Sequence, residues 1–289
     1  MNASPEMLRR RSEIVRGIRR YFDERGFVEV DTPVAIAAPA PEEHIDCPPL
    51  AHPLMALDGR RGEFLRASPE LQMKKLLALG MDRIYQLGPC FREGERGSRH
   101  NPEFTMLEWY RAGATYQDIA RDLEGLFASL HPEAPPPLTL TVREAYLKHA
   151  EWDPFVAFDQ DRFDYDMALK VEPALKEMGG GVFLTDYPPA AASLARLRGG
   201  VAERWEFYFD GMELANCFTE LCDGEEQRRR FEKARAARRQ LNEADYPIDE
   251  DFLGQLDQIG SAAGVALGID RFVMVLTGAN SIAEVRAGE

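Results

Sequence analysis

Asp210-Gly211 stands between two runs of alternating character, ERWEFYF before it and MELANCFTEL after it. An Asp-Gly pair suits the tight two-residue turn whose twist matches paired antiparallel strands. The stretch is therefore expected to form a hairpin with Phe209 opposite Met212. That register sets Tyr208 opposite Glu213 and Glu206 opposite Ala215, gathering Glu206, Tyr208, Glu213 and Ala215 on one face. Two neighbouring carboxylates repel and hold protons unless a cation lies between them, and Mg²⁺, which takes one or two carboxylates together with substrate phosphates, is the expected ion. A solvated sheet edge with scattered glutamates is an equal alternative. Strict alternation beyond Glu213 would send Asn216, Phe218 and Glu220 to the opposite face. If they serve the same ligand, the strand must bulge or twist sharply between 213 and 216.

Hairpin-joined strands with helices outside them indicate an α+β chain built on an antiparallel β-sheet flanked by helices. An amphipathic helix is expected over 5–25, ended by Gly26, then a short strand FVEVDTP. Residues 35–60 read as a long loop with short strands. SPELQMKKLLALG at 68–80 has a capping serine, a proline suited to the first turn and a terminal glycine. IYQLGPCFR is a strand, GERGS an irregular loop, and 115–130 a helix. VFLTDYPP and GVALGIDRFVMVL carry later strands. The chain is expected to be a single domain over 1–289 with a small helical subregion near 144–178. A helix is expected over 225–244; its span 225–240 holds seven Lys or Arg against three Glu, read as a solvated face with a binding patch as the alternative.

In HNPEFTMLEWYR, alternation places Phe104, Met106, Glu108 and Tyr110 on one side and Thr105, Leu107 and Trp109 on the other. A core strand would exclude Glu108, since a buried carboxylate needs a partner. A ring, a carboxylate and a phenol on one face suit a pocket floor whose guest carries an amine. Arg92, Arg99 and Arg271 come from separate segments, with His100 beside them. Guanidinium groups brought together match phosphate oxygens, although each alone is commonly a surface ion-pair partner. No GxxxxGK[ST] loop is present, and GVALG lacks dinucleotide-fold spacing. A nucleotide would be held by side chains on a sheet.

The formal net charge of −14 over 289 residues opposes broad nucleic-acid binding. No apolar run long enough to span a membrane is present, and the four cysteines read as free thiols. A cytoplasmic protein is the expectation.

Together these segments resemble the catalytic core of class II aminoacyl-tRNA synthetases, the lysyl type in particular. GFVEVDTP resembles the first class II motif, FREGERGSRHNPEFTMLEWY the second and GVALGIDRFVMVL the third, so the resemblance covers almost the whole chain. It is nearer still to the truncated paralogues that join (R)-β-lysine to elongation factor P. The first motif begins by residue 26, leaving no room for an anticodon-binding barrel. Ala266 and YPPAAASLAR follow the paralogue pattern, and Cys217 stands where the synthetases have glycine.

The resemblance implies a class II core, usually dimeric, using ATP and Mg²⁺ to activate (R)-β-lysine or lysine for transfer to elongation factor P. By resemblance, Arg92 contacts the α-phosphate and Phe104 stacks on adenine. Arg99, His100 and Arg271 hold the outer phosphates, Arg92 and Arg271 being the catalytic pair. Glu206 and Glu213 take Mg²⁺. Glu70, Glu108, Tyr110, Asn216 and Glu220 surround the amines, with Phe218 and Ala266 beside them. Gly94 replaces the glutamate that reads adenine in the synthetases, leaving Glu93 or Glu95 for that task. An enzyme of the same chemistry with a tRNA or small-molecule acceptor is the first alternative. A non-catalytic binding or regulatory protein is the second, and the joint presence of Arg92, Arg271, Glu206 and Glu213 argues against it.

Overall fold

The structure is a computed structural model that describes residues 3–56 and 59–288. The chain forms two compact units, one of Met1–Ala112, Cys222–Gly260 and Gly268–Glu289, the other of Gly113–Leu221 and Ser261–Leu267.

In the first unit the helix Pro5–Asp23 starts at Ser4, whose Oγ accepts from the Met7 amide, with Pro5 in the first turn. Its apolar stripe buries Ile14, Ile18, Tyr21 and Phe22 in the protomer's own core. The Phe22 ring stacks on Tyr85 at 4.8 Å and meets Trp109 at 5.2 Å. The strand Arg83–Phe91 runs parallel to Val28–Glu29 and antiparallel to Glu103–Ala112. The latter pairing is unbroken from Arg83 opposite Arg111 to Phe91 opposite Glu103. With no bulge to reverse parity, Trp109 turns towards the helix while Glu108 and Tyr110 take the other side, as the alternation required.

The stretch expected to be mostly loop builds a small antiparallel sheet from Ala35–Ile36, Arg61–Leu65 and Pro49–Met55. The segment between Ala35–Ile36 and Pro49–Met55 is tied down by Arg238, a fully buried cation on the helix Gly224–Gln240. That guanidinium donates to the carbonyls of Glu42, Ile45 and Ala244 and to Asp46, and lies 4.5 Å from the Tyr246 ring centre. The other arginines of this helix pair with Glu226, Glu250 and Asp245. GIDRFVMVL departs from the strand reading. The strand Ala262–Gly268 gives way at Gly268 to the helix Ile269–Thr277, which ends on a left-handed Gly278. The amphipathic spacing of Ile269, Phe272, Val273 and Met274, all buried, favours this.

In the second unit a sheet runs in the order Ala262–Gly268, Met212–Thr219, Val201–Phe209, Gly181–Tyr187, Leu138–Thr141, with Leu197–Arg198 added beside Val201–Phe209. Its pairings are antiparallel except for Leu138–Thr141 along Gly181–Tyr187, which is parallel. The helix Tyr116–Leu130 opens with a reciprocal Thr115–Asp118 cap and buries Ile119, Leu123, Leu126 and Phe127. Helices Val142–His149, Gln160–Asp166 and Glu172–Met178, with a π-helical turn at Met167–Val171, pack Tyr146, Phe163, Val171 and Leu175 into a core with Val182 and Leu184.

Candidate active site

The hairpin forms as the Asp-Gly pair dictates, with φ of +47° at Asp210 and +73° at Gly211 and Phe209 opposite Met212. A side chain on Gly211 would lie 2.5 Å from the Lys176 Cβ, so glycine is needed for space as well as for its torsion. Tyr208 pairs with Glu213, but Phe207 then pairs with Ala215 and Glu206 with Asn216. Leu214 is the extra residue. The bulge between 213 and 216 is therefore present, and it corrects the simple register: Ala215 leaves the Glu206 face and Asn216 joins it. Farther on, Phe218 opposes Arg204, and Ala266 opposes Asn216 from the next strand. One face thus gathers Arg204, Glu206, Tyr208, Glu213, Asn216, Phe218 and Ala266.

Arg204, which sequence reasoning did not single out, organises this face. Its guanidinium donates to Glu206 Oε1 at 2.5 Å, Asn216 Oδ1 at 3.2 Å and the Ala191 carbonyl at 2.9 Å. It lies 4.3 Å from the Tyr187 ring centre and 5.6 Å from that of Phe218. The chain thus sets a cation of its own against Glu206. Burial works against the charged guanidinium, but Glu206, Tyr187 and Glu213 raise its proton affinity above the usual value. Burial, then the Glu206 charge, drives the Tyr208 phenol well above its ordinary range, so it stays protonated and donates to Glu206 Oε2 at 2.6 Å. Glu220 is buried next in line, its amide donating to the Ala262 carbonyl.

Each Glu206 oxygen still has a second lone pair, and Glu213 is half-buried on the same face. These two carboxylates fit a hard divalent ion that takes its remaining ligands from phosphate and water. Among the described residues no group of three or more His, Cys, Asp or Glu is arranged to hold a metal unaided.

In the first unit Glu108 is almost fully buried. Ser68 Oγ donates to its Oε1 at 2.7 Å and Tyr110 to its Oε2 at 2.9 Å. Ser68 Oγ also accepts from the Glu70 amide at 3.0 Å, but the cap of the helix Glu70–Ala78 is Pro69, one residue later than the expected serine. Burial, reinforced by the Glu70 charge, raises the Glu108 carboxyl to about 7, the two hydrogen bonds and Arg66 opposing that rise. Gln86 pairs across the strands with Glu108. Its Oε1 accepts from Thr32, while its buried amide nitrogen has no partner.

Phe104 lies on the same strand side as Glu108, with the Arg92 guanidinium 5.2 Å from its ring centre. Arg92 pairs loosely with Glu95 at 3.4 Å, and its buried Nε has no hydrogen-bond partner. Of the two candidates for the Gly94 gap, Glu95 is half-buried against Arg92 and Glu93 is exposed. Arg271 meets His100 Nε2 at 2.5 Å and donates from Nε to the Arg99 carbonyl. Burial, then the Arg271 charge, lowers the proton affinity of His100. Asp270 fixes this corner, joining Arg11 at 2.7 Å and Arg286 at 3.0 Å and accepting from the Thr105 amide. Within this unit Arg92 and Phe104 come together, as do His100, Arg271 and the main chain of Arg99, whose side chain is exposed, and Glu70, Glu108 and Tyr110. Ser68 was legible only as a helix cap, and Lys74, buried against Glu70, carried no signal beyond its helical spacing.

The chain matches the family described as tRNA synthetases class II (D, K and N) over residues 2–287. It is 35% identical over 307 residues to the elongation factor P--(R)-beta-lysine ligase of Histophilus somni (strain 2336), spanning 98% of this chain and 95% of that protein. The protein of that name from Proteus mirabilis (strain HI4320) is 36% identical over 316 residues, with 99% and 95% covered. That from Haemophilus influenzae (strain PittGG) is 35% identical over 311 residues, with 98% and 95% covered.

Proposed function

Since the chain belongs to the class II tRNA synthetase family of the D, K and N kind, we propose that it is an ATP-dependent ligase that activates (R)-β-lysine or lysine and transfers it to a lysine of elongation factor P. The substrate carboxylate attacks the α-phosphorus of ATP, pyrophosphate leaves, and an acyl-adenylate forms. The ε-amine of the acceptor lysine then attacks the acyl carbon. AMP leaves, the amine loses its proton, and an amide results, with no covalent enzyme intermediate.

Arg92 stabilises charge at the α-phosphate, and its unpartnered Nε is a donor ready for such a ligand. Phe104 offers its ring to adenine, with Glu95 the adenine reader. Arg99, His100 and Arg271 take the outer phosphates. Glu206 and Glu213 would hold Mg²⁺, which when bound supplies positive charge to the phosphates. Glu70, Glu108, Tyr110, Asn216 and Glu220 receive the diamino acid, beside Phe218 and Ala266.

The observation that carries this reading is Glu108: a buried carboxylate with two neutral donors, on the strand face that also bears Phe104. An amine is the guest that makes such a group favourable to bury. The names of the relatives support the acceptor. A homodimer belongs to the same reading and is drawn from resemblance; sedimentation tests it.

Two assays test the reaction. Pyrophosphate exchange with each lysine isomer is expected to show amino-acid-dependent adenylate formation. Purified elongation factor P and tRNA, supplied as competing acceptors and weighed by mass spectrometry, are expected to show mass added to the protein alone. Transfer to tRNA only would reassign the acceptor; absence of exchange would end the ligase reading.

A further inference from the structure

Lys74 is 1% exposed, and a lysine is almost never so buried without a partner. It lies one turn after Glu70 on the helix Glu70–Ala78, its Nζ 2.5 Å from Glu70 Oε1. Glu70 leads back to Glu108 through Ser68, which accepts from the Glu70 amide and donates to the Glu108 carboxylate. Tyr110 is the other donor to Glu108. Charged and titratable groups that act on Glu108 include Glu70 on this helix, Arg66 before it, Cys90 on the facing strand and Tyr110 on its own strand. Glu70 is the strongest electrostatic opponent of the Glu108 anion among them.

A second uncompensated negative charge here would keep Glu108 protonated and turn its acceptor towards neutrality. We propose that Lys74 is a positioning residue for amine recognition: paired with Glu70, it offsets the field Glu70 directs at Glu108, leaving Glu108 able to become the anion that receives a substrate ammonium. Lys74 itself need not touch the ligand. The inference rests on the assignment of Glu108 to the substrate amine.

Lys74→Met retains much of the length and removes the charge. In pyrophosphate exchange the wild-type KM for the amino acid is expected to fall as pH rises and Glu108 ionises. In K74M that limb moves up by about one pH unit, while the KM for ATP keeps its wild-type pH profile. K74R keeps the original limb. In the double variant E70Q/K74M, which removes the opposing charge as well, the limb returns to its wild-type pH while the KM itself rises at every pH, because Glu70 also belongs to the amino-acid site.

An unmoved limb in K74M overturns the proposal, as does a limb displaced equally in E70Q/K74M. So does a kcat lowered evenly at every pH, the signature of a packing defect. If wild-type protein shows no amino-acid-dependent exchange, the functional reading fails separately. The charge relation is then read from ¹³C titration of the Glu108 carboxyl, identified by its loss in E108Q. A higher midpoint in K74M upholds the relation, and an unchanged one refutes it.

Discussion

Glu108 is held by Ser68 and Tyr110 where water hardly reaches. Its carboxyl is raised from 4.5 to about 7, so the folded state binds its proton more tightly than the unfolded chain does. Between those values the native protein carries more protons, and stability contributed by this group falls as pH rises. The whole difference is about 3 kcal/mol on the scale of 1.36 kcal/mol per unit. Glu108→Gln abolishes that titration. Its Tm relative to wild type is expected to climb between pH 5 and pH 8 in ligand-free protein, as thermal melts across that range would show; a flat difference contradicts the assignment. At the same position the variant should raise the KM for lysine at least tenfold, consistent with a lost charge-assisted contact of about 1.5–3 kcal/mol, while the KM for ATP stays put.

Strand parity carried the site a long way from sequence to structure. Phe104, Glu108 and Tyr110 share a side because their strand has no bulge, and the Asp-Gly turn pinned the second hairpin at its tip. Leu214 shows where alternation stops being enough. The extra residue was inferable only from the wish to place Asn216 with Glu206, and nothing in the letters favours Leu214 over its neighbours. Arg204 and Lys74 were illegible for another reason: a buried cation looks in sequence like any exposed one, because its partners are set by tertiary packing. The helix at Ile269–Thr277 was hidden by a short apolar run that suits strand and helix equally.

At this scale Gly211→Ala, which meets both the positive torsion and Lys176, should cost about 1–3 kcal/mol. Urea unfolding would measure it. Asp270→Ala removes the carboxylate that Arg11 and Arg286 share and leaves them Thr105 and Glu103 as partners, so it should cost about 1–3 kcal/mol; the same measurement serves.

Across the whole molecule the formal charge is −14, and much of the basic helix Gly224–Gln240 is committed to internal ion pairs. No helix among the described residues is long and apolar enough to cross a membrane. Polyanions should therefore bind weakly. Filter binding of tRNA at 150 mM salt is expected to give a Kd weaker than about 10 µM, within the range of non-specific contacts; tight, salt-resistant binding would count against a protein acceptor.

The Arg238 anchor has a temporal consequence. Its partner Asp46 lies 192 positions earlier, and at ribosomal speeds of about 5–20 residues per second that interval is roughly 10–40 s. During that time the nascent chain holds Glu42–Asp46 without the guanidinium that fastens it. Early translation thus exposes a segment held from Glu93, whose amide donates to the Asp46 carbonyl, but not yet by its buried cation, making it a natural place for a chaperone or protease to act on an unfinished chain.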